Sequence, residues 1–428
     1  MRIVIATFGS LGDIHPMMAL GLELQSRGHA VAIVTSEFYR QKIAAAGLGF
    51  HPARPDLRPD DKALVRASMD ERRGPETIVR YMMGELRGMY ADFERAACAD
   101  GGADLLITSD LAYAGPILAE KIGLRWCSQV LSPIGFFSAY DPTVLPPVPW
   151  LSKLSALGPS VYGAILGLIK SQALKAATPI NEFRRELGLA PVKDPFFTDK
   201  NSPELVLAMF SPLIAHRQPD WPARTLITGY AWYDRHRTDE GSRPDEPAPA
   251  LSALRAFLDA GDAPIVFTLG SVAVFDPGAF YRESVRTAQR LGRRAVLLVG
   301  PDPDDPPPPS RDIGVFDYAP FSQLFPRAAA IVHQGGSGTT AQAMRAGRPM
   351  LIVPYSHDQP DNALRVKRLG ISDTIRRGRY RAERAAPALE RLLTDPAVAA
   401  RAAAIGHEVS REDGARVAAD AIDAGFRL

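Results

Sequence analysis

The chain has very few cysteines, a balanced charge and no long hydrophobic run, and each of these absences excludes a class of protein. Its two cysteines, Cys98 and Cys127, are too few for a disulfide framework or for a zinc site built on cysteine pairs. We therefore expect a reducing, cytoplasmic location. The 50 basic and 48 acidic residues leave a net charge of +2, which argues against nucleic acid as a partner.

Hydrophobic segments are short throughout the sequence. The most apolar one after the N-terminus, residues 161–169, ends at Lys170 and cannot span a bilayer, which takes about 20 apolar residues. The first ten residues, MRIVIATFGS, have the pattern of a strand and a turn and lack a signal-peptide core. We expect a soluble protein of two or three domains, for which peripheral membrane contact stays open.

Short apolar runs alternate with helical patterns in two blocks of the chain. Strands that alternate with helices predict a parallel sheet with crossover helices. The segment RHRTDEGSRPDEPAP between the blocks has almost no apolar residues and is typical of a linker. The runs lie at residues 3–6, 30–34, 104–107 and 126–131 in the first block, and at 265–269, 295–299, 329–333 and 350–353 in the second.

This pattern predicts an α/β protein with two Rossmann-like, parallel-sheet domains facing an interdomain cleft. We predict an N-terminal domain over 1–234, a linker over 235–250 and a C-terminal domain over 251–410. A C-terminal helix over 411–428 could pack back on the N-terminal domain. Open parallel sheets bind ligands beyond the carboxyl ends of their strands, so polar residues at strand ends are the candidates for a site.

The first candidate site follows the first predicted strand. In the segment GSLGDIHP, Gly9 and Gly12 permit a tight turn, and Pro16 is tolerated in the first turn of a helix. Asp13 is thereby placed at the end of the strand, with His15 two residues further on. Asp13 is either a general base or the cap of the following helix, and the pattern favours neither role.

A second, glycine-rich turn follows the apolar run AIVH. His333 ends this predicted strand, and the residues QGGSGTT lead into a short helix. The free N–H groups and the positive dipole end of such a helix suit a diphosphate. His333 could donate a hydrogen bond to a phosphate oxygen, and that bond would strengthen as charge builds on a leaving group. Ser271, in TLGSV after another predicted strand, is either a further phosphate donor or a turn residue.

The third candidate site is the sequence His357-Asp358-Gln359 after the apolar run MLIV. A neighbouring carboxylate and amide offer acceptors and donors that can bind adjacent sugar hydroxyls. Asp358 could instead cap the helix that follows. Its position at the same predicted sheet edge as His333 favours sugar contact.

Together these motifs resemble the GT-B glycosyltransferases of family 1, which use nucleoside diphosphate sugars. The resemblance covers nearly the whole chain, including GSLGDIHP, SPLIAHRQPDWPARTLITGYAWYD and TLGS. Its most specific part is the block YAPFSQLFPRAAAIVHQGGSGTTAQAMRAGRPMLIVPYSHDQPDNA. The pattern is most similar to bacterial members that glycosylate antibiotics, lipids and sterols. The resemblance implies a GT-B fold whose N-terminal domain binds the acceptor and whose C-terminal domain binds the nucleotide sugar.

The resemblance also implies roles for individual residues on the donor side. His333 and the turn after it would hold the diphosphate, and Asp358 and Gln359 would hold the hexose. Tyr318 would stack on the nucleobase, and the backbone of Phe321 would bind the edge of the base. The full set of predicted donor-binding residues is Ser271, Tyr318, Phe321, His333, Gly335, Gly336, Ser337, Gly338, Thr339, Asp358 and Gln359.

The predicted catalytic residues are Asp13, His15 and Asp110. Asp13 occupies the position of the family's catalytic base, which is a histidine in plant members. His15 is the rival base because its ordinary pKa lies nearer neutrality, although it is two residues from the matching position. Asp110, at the end of LLITSD, matches the aspartate that orients the plant histidine. Here Asp110 could share a proton with Asp13, contact the acceptor or serve structure only.

The identity of the donor is less well defined than its site. The glutamate that plant members use on the ribose hydroxyls is replaced by Ala341, so both UDP and dTDP sugars stay open. Gln359 favours a glucose-like donor. The resemblance implies no metal and no cofactor, only the nucleotide sugar as co-substrate.

An aromatic segment within residues 133–170 is the candidate acceptor region. It contains Phe136, Phe137, Tyr140 and Trp150 among prolines and glycines. Such a lining suits an apolar, hydroxylated acceptor such as a phenol, polyketide, terpenoid, sterol or lipid. The alternative is that these side chains pack in the core.

The function predicted from the sequence is an inverting, metal-independent transfer of a hexose, most simply glucose, to a hydroxyl of an apolar small molecule. Alternatives are a lipid rhamnosyltransferase using dTDP-rhamnose, a GT-B sugar-nucleotide epimerase or hydrolase, and an inactive helper protein. A metal-dependent site is a further alternative, because Asp302-Pro303-Asp304 has the Asp-x-Asp pattern of metal-binding glycosyltransferases with another fold.

Overall fold

The computed structural model describes residues 1–58, 60–233 and 248–426, so the predicted linker at 235–250 lies outside the described residues up to position 247. The chain divides into two compact units. The first unit comprises Met1–Arg58, Arg72–Tyr233 and Glu412–Leu428. The second comprises Pro59–Glu71 and Asp234–Arg411.

The first unit is built on a seven-stranded parallel sheet. Its strands are β1 (Arg2–Ala6), β2 (Ala30–Thr35), β3 (Gly49–Pro52), β4 (Leu105–Thr108), β5 (Trp126–Val130), β6 (Val206–Ala208) and β7 (Thr225–Ile227). Their order in the sheet is β3-β2-β1-β4-β5-β6-β7. The order reverses between β1 and β4, and a doubly wound sheet binds its ligands at such a reversal.

The second unit contains a six-stranded parallel sheet. Its strands are β8 (Ile265–Thr268), β9 (Ala295–Leu298), β10 (Ile313–Phe316), β11 (Ala330–His333), β12 (Met350–Ile352) and β13 (Ser372–Thr374). Their order is β10-β9-β8-β11-β12-β13, so the reversal lies between β8 and β11. The predicted fold class, α/β with two Rossmann-like parallel sheets, is confirmed.

Helices connect the strands of both sheets. No helix in the described part of the chain is long and apolar enough to cross a bilayer. The helices are α1 (Leu11–Ser26), α2 (Arg40–Ala45), α3 (Lys62–Ser68), α4 (Gly74–Gly84), α5 (Leu86–Cys98), α6 (Ala114–Ile122), α7 (Pro159–Ala173), α8 (Thr178–Glu186), α9 (Ala248–Asp259), α10 (Phe280–Arg290), α11 (Phe321–Leu324), α12 (Ser337–Arg345), α13 (Gln359–Arg368), α14 (Ala382–Thr394), α15 (Pro396–Val409) and α16 (Gly414–Phe426).

The central strands consist mainly of apolar residues, as expected where helices cover both faces of a parallel sheet. Every residue of β4 and of β8 is buried, as expected for parallel strands. In the first unit, Ile14 and Met18 of α1 share one apolar core with Ala418 and Ile422 of α16. The C-terminal helix is therefore part of the first unit.

Residues 60–71 depart from the predicted domain boundaries. The sequence places them in the N-terminal domain over 1–234, but in the structure they belong to the second unit. The physical reason is packing, since the buried side chains of Val65 and Met69 lie in the apolar core of that unit with Leu269 and Val274. We call these residues the 60–71 segment.

Candidate active site

The turn between β1 and α1 holds Asp13 in a capping box. Ser10 is the N-cap of α1, and its Oγ accepts a hydrogen bond from the Gly12 N–H at 3.1 Å. The Asp13 carboxylate in turn accepts from the Ser10 N–H at 2.7 Å. Gly9 has a φ of +129°, and a Cβ there would lie 2.2 Å from Asp13 Oδ2. The turn therefore requires glycine at position 9 and fixes the Asp13 carboxylate at the start of the helix.

The surroundings of Asp13 are buried and aromatic. The Tyr39 hydroxyl donates to the Gly9 carbonyl at 3.0 Å. Burial raises the pKa of Tyr39, and the negative charge of Asp13 raises it further. The His15 ring lies 4.9 Å from the Tyr233 ring, centroid to centroid. The structure thus shows the capping role of Asp13, while its role as the base stays a prediction with His15 as the rival.

Asp110 lies beyond β4, the strand next to β1, and forms an ion pair. Its Oδ1 accepts a hydrogen bond from the ammonium group of Lys200, a side chain that is largely buried. Asp110 therefore has a partner other than Asp13. Which of the three roles open from the sequence Asp110 plays, a proton shared with Asp13, acceptor contact or structure only, stays a prediction.

Asp110 and Lys200 line a pocket of about 1020 Å³ in the first unit. Phe136 and Phe137 also line it, whereas Tyr140 and Trp150 do not. Phe136 is buried and stacks on Trp221 with 4.1 Å between ring centroids, so it serves core packing as well.

Tyr140 and Trp150 lie on the surface of the first unit. Their side chains are 51% and 57% exposed. The structure therefore brings together two of the four aromatic residues predicted to contact the acceptor and leaves these two outside the pocket lining. The role of all four in acceptor binding stays a prediction.

His333 ends β11, at the reversal point of the second sheet, and is fully buried. Its Nδ1 accepts a hydrogen bond from the Gly335 N–H at 3.1 Å. Burial lowers the pKa of His333 to about 3, so the imidazole is neutral near pH 7. Because Nδ1 is the acceptor, the ring proton lies on Nε2, and Nε2 has no partner among the described residues. The ring thus presents one unpaired hydrogen-bond donor.

The turn after His333 leaves the start of α12 open. Gly335 has a φ of +93°, and a Cβ there would lie 2.8 Å from Ile352 Cγ2. Gly336 is the N-cap, so no side chain caps the helix. An uncapped helix start offers N–H groups and a positive dipole end to an anion. The first helical turn contains the predicted phosphate-binding residues Ser337, Gly338 and Thr339.

The loop after β8 reaches the same turn. Gly270 has a φ of +69°, and a Cβ there would lie 2.3 Å from Nε2 of Gln334. That Nε2 group donates a 3.4 Å hydrogen bond to Thr339 Oγ1. Ser271 follows Gly270 directly, so the structure brings this predicted phosphate donor to the sheet edge that holds His333.

Asp358 and Gln359 are held by hydrogen bonds at the start of α13. Asp358 Oδ2 accepts from Ser337 Oγ at 2.8 Å. Gln359 Oε1 accepts from the Tyr355 N–H at 2.8 Å, and its Nε2 group makes no hydrogen bond to another described residue. Asp358 occupies the N-cap position of α13, but its side chain makes no capping hydrogen bond. The carboxylate and the amide are therefore fixed in orientation, and the amide N–H groups remain available.

Asn362 is a residue of this site that the sequence analysis missed. Its Nδ2 group donates to the Gly335 carbonyl at 2.9 Å and to Asp358 Oδ2 at 2.7 Å. It therefore connects the glycine-rich turn to the loop that carries Asp358. The signal that could have found it is spacing, since positions four apart on a helix face each other.

The two residues predicted to contact the nucleobase lie in and before α11. Tyr318 is 44% exposed, so its ring is accessible for stacking. Phe321 is the first residue of α11 and stacks on Phe325 with ring centroids 4.3 Å apart. Their contact with a nucleobase stays a prediction.

The two aspartates of the Asp-x-Asp pattern form ion pairs with a lysine. The Lys62 ammonium lies 2.9 Å from Asp302 Oδ2 and 2.8 Å from Asp304 Oδ1. In the described residues, no group of three or more histidine, cysteine, aspartate or glutamate side chains is arranged to hold a metal ion. In this structure the two aspartates therefore serve an ion pair.

Two family models match the chain, one in its N-terminal part and one in its C-terminal part. Residues 3–133 match the glycosyltransferase family 28 N-terminal domain. Residues 307–423 match the C-terminal domain described as erythromycin biosynthesis protein CIII-like. The second match contains both His333 and Asp358.

Relatives of the whole chain and a solved structure agree with these models. The O-mycaminosyltylonolide 6-deoxyallosyltransferase of Streptomyces fradiae is 31% identical over 434 residues, covering 97% of this chain and 95% of that protein. The vancomycin aglycone glucosyltransferase of Amycolatopsis orientalis is 30% identical, covering 98% and 96%. A glycotransferase of kitacinnamycin has the same fold, with a TM-score of 0.72 at 21% identity over 100% of this chain and 99% of that one. The chain therefore belongs to the GT-B glycosyltransferases of family 1 and is a hexosyltransferase.

Proposed function

We propose that this enzyme transfers a hexose, most simply glucose, from a nucleoside diphosphate sugar to a hydroxyl of an apolar small molecule, with inversion and without a metal ion. The observation that carries the proposal is that one turn contains both the His333 Nε2–H group, which has no partner among the described residues, and the uncapped start of α12. Both offer donors to an anion at the end of β11. A diphosphate leaving group needs such donors.

The charge state of His333 defines how it acts. Because burial lowers its pKa to about 3, the ring works as a neutral donor and not as a cation or an acid. A hydrogen bond to the phosphate oxygen strengthens as the sugar–phosphate bond breaks and charge builds there. The positive end of α12 adds a fixed partial charge. These two contributions support charge neutralisation by the protein itself.

Asp13 is proposed as the base. In this step the acceptor oxygen forms a bond to the anomeric carbon, the bond from that carbon to the diphosphate oxygen breaks, and the hydroxyl proton passes to the Asp13 carboxylate. In-line displacement inverts the anomeric centre. The capping bond from Ser10 (2.7 Å) supports the assignment because it fixes the carboxylate in one orientation.

The acceptor is proposed to be an apolar, hydroxylated molecule that enters the pocket of about 1020 Å³ in the first unit. A volume of this size accommodates a drug-sized or larger ligand. The relatives named above act on O-mycaminosyltylonolide and on the vancomycin aglycone, which supports a natural-product acceptor. Phe137 and Phe136 supply an aromatic wall, and Asp110 with Lys200 supplies a polar end.

The donor nucleotide is proposed to be UDP or dTDP, since Ala341 lacks the ribose-binding carboxylate. We propose that the reaction takes place in the cytoplasm, which suits a chain with only two cysteines in its sequence.

A mass-spectrometric screen tests the proposal. The protein is incubated with UDP-glucose, dTDP-glucose and dTDP-rhamnose against mixed phenolic, macrolide, steroidal and lipid acceptors, with and without EDTA. We expect a glucosylated product whose yield does not change with EDTA. Consumption of a nucleotide sugar without any acceptor would indicate an epimerase or hydrolase, and strict Mn²⁺ dependence would exclude the metal-independent mechanism.

A further inference from the structure

The 60–71 segment is bonded directly to the loop that precedes Asp358 and Gln359. Ser356 Oγ donates a 2.9 Å hydrogen bond to the Asp70 carbonyl. The His357 side chain forms a hydrogen bond with the backbone of Ser68. Two consecutive loop residues are therefore tied to the 60–71 segment just before the pair predicted to hold the hexose.

The bond from Ser356 is partly buried, since its acceptor residue Asp70 is exposed. Ser356 is fully buried, and burial lowers the pKa of His357, so its ring is neutral and has one N–H to donate. In a buried region, a polar group left without its partner lowers the free energy of unfolding by more than the hydrogen bond adds to it when formed. These two bonds therefore constrain the loop more strongly than exposed ones would.

The backbone of this loop needs an external constraint. His357 has a φ of +57°, in the left-handed region that residues other than glycine seldom adopt. Such a conformation persists only where the surroundings hold it. The contact with Ser68 is the side-chain bond that holds His357, and the next two residues are Asp358 and Gln359.

The 60–71 segment is itself anchored at both ends. At its start, Lys62 binds Asp302 and Asp304. At its end, Met69 lies in the apolar core of the second unit. The segment can therefore serve as a fixed support for the loop, in addition to filling the core.

We propose that the 60–71 segment, through Ser356 and His357, sets how tightly the enzyme binds the sugar part of its donor. Ser356 and His357 are positioning residues in this proposal, because they act through the orientation of Asp358 and Gln359. The inference rests on the proposed function, since it assumes that these two residues bind the hexose. It predicts a defect that is specific to the sugar and absent for the free nucleotide.

Calorimetric binding tests this separation. Dissociation constants are measured for UDP-glucose and UDP, and for dTDP-glucose and dTDP, with the wild type, Ser356→Ala, His357→Ala and His357→Asn. Ser356→Ala and His357→Ala each remove one hydrogen bond between the loop and the 60–71 segment, so we expect about 3- to 10-fold weaker binding of the sugar nucleotide. Binding of the free nucleotide should not change. His357→Asn keeps an N–H donor and tolerates a positive φ, so it should restore binding to within about twofold of the wild type.

Ser284→Ala is the matched control for a structural effect. Ser284 is also fully buried in the second unit, and its Oγ bonds to the Phe280 carbonyl at 2.8 Å and to the Tyr380 hydroxyl at 2.9 Å. Its loss should lower the melting temperature and leave the ratio of the two dissociation constants unchanged. Circular dichroism confirms that each variant is folded, and the Ser356 and His357 variants test the same loop independently.

The outcomes separate the two proposals. A wild type that binds neither nucleotide nor either sugar nucleotide overturns the proposed function. A wild type that binds them, with Ser356→Ala and His357→Ala unchanged or weakened equally for free and sugar-bearing nucleotides, overturns only the positioning role. A sugar-specific loss that His357→Asn reverses supports it.

Discussion

Two turns of this protein each join a strand of a parallel sheet to a helix. They differ in whether a side chain caps the start of that helix. After β1, Ser10 and Asp13 close the helix start with their own side chains. After β11, Gly336 occupies the N-cap and no side chain closes it. Both turns lie at the reversal point of their sheet, so topology alone does not distinguish them.

The difference shows that the residue at the N-cap determines whether the N–H groups at the start of a helix are bonded by a side chain or left for a ligand. Relative to a glycine N-cap, the first turn gains about a few tenths of a kcal/mol from its capping side chain, and it already places a carboxylate at the positive end of its helix. The second turn lacks this gain and leaves its N–H groups for an external anion. The first turn is therefore suited to hold an acid in place, and the second to hold a diphosphate.

The largest expected effect is that of Asp13→Asn, which removes the proposed base from the first turn. Asparagine can still accept from the Ser10 N–H, so the cap persists, but it cannot take up a proton. We expect the transfer rate to fall by about 10²–10⁴-fold while the melting temperature changes little. His15→Gln is the comparison and should cost less than about tenfold. The reverse result, in which only His15→Gln abolishes transfer, would make His15 the base.

The next largest effect concerns His333 in the second turn. His333→Ala removes the Nε2–H donor, and we expect kcat to fall by about 10²–10³-fold. His333→Gln offers an amide N–H from a similar distance and should recover part of the rate. Single-turnover rates at saturating donor measure both. A rate for His333→Ala within about threefold of the wild type would show that the leaving group does not depend on this donor.

Converting the second turn into the first is a more direct test of the comparison. Gly336 has a φ of −62°, which other residues adopt, and a Cβ there would approach only the movable end of Gln334, at 3.0 Å. Gly336→Asp should therefore stabilise the fold by about 0.5–1 kcal/mol, of which a few tenths come from the cap relative to glycine and the rest from the charge at the positive end of the helix. Its carboxylate should also repel a diphosphate and weaken UDP binding by about tenfold or more.

Gly336→Ser is the control for this test because it adds a cap without a charge. Urea unfolding measures the gain in stability, and calorimetry measures the affinity for UDP. If Gly336→Asp binds UDP as tightly as Gly336→Ser, the start of α12 is not where the diphosphate binds.

The smallest effect concerns the dependence of stability on pH. The pKa of His333 is about 3 in the folded protein and about 6.5 in an unfolded chain. Below pH 6.5 the unfolded chain takes up a proton that the folded protein does not, so stability falls as pH falls from about 6.5 towards 3. Between pH 7.5 and 5.5, we expect the wild type to lose about 1.4 kcal/mol more unfolding free energy than His333→Gln. Urea unfolding at the two pH values measures this, and equal losses would contradict the neutral state of His333.

The central strands and both turns could be predicted from the sequence. Buried parallel strands are continuous apolar runs, and β1, β4, β8 and β11 have this signal. Strands of three residues, such as β6 and β13, carry too few residues for a pattern. Their place in the sheet is set by packing with distant parts of the chain.

The geometry of the site was harder to predict than its residues. That Asp13 caps its helix was one of two interpretations, and the structure shows the bond. The Lys200 partner of Asp110 and the Lys62 partner of Asp302 are 90 and more than 200 residues away in sequence. No local spacing indicates such pairs, so the sequence offered a metal at the Asp-x-Asp pattern as an alternative and did not reveal its ion pair with Lys62.

The interleaving of the two units along the chain has a consequence for hybrid enzymes. A chimaera joined once, at the linker between the sheets, would take the 60–71 segment from one parent and the loop it supports from the other. It would also take Glu412 from one parent and its hydrogen-bond donors, the Ser211 hydroxyl and the Tyr230 N–H of the first unit, from the other. An exchange of donor specificity between relatives therefore needs three junctions, before residue 60, after residue 71 and at residue 411, in addition to the one at the linker.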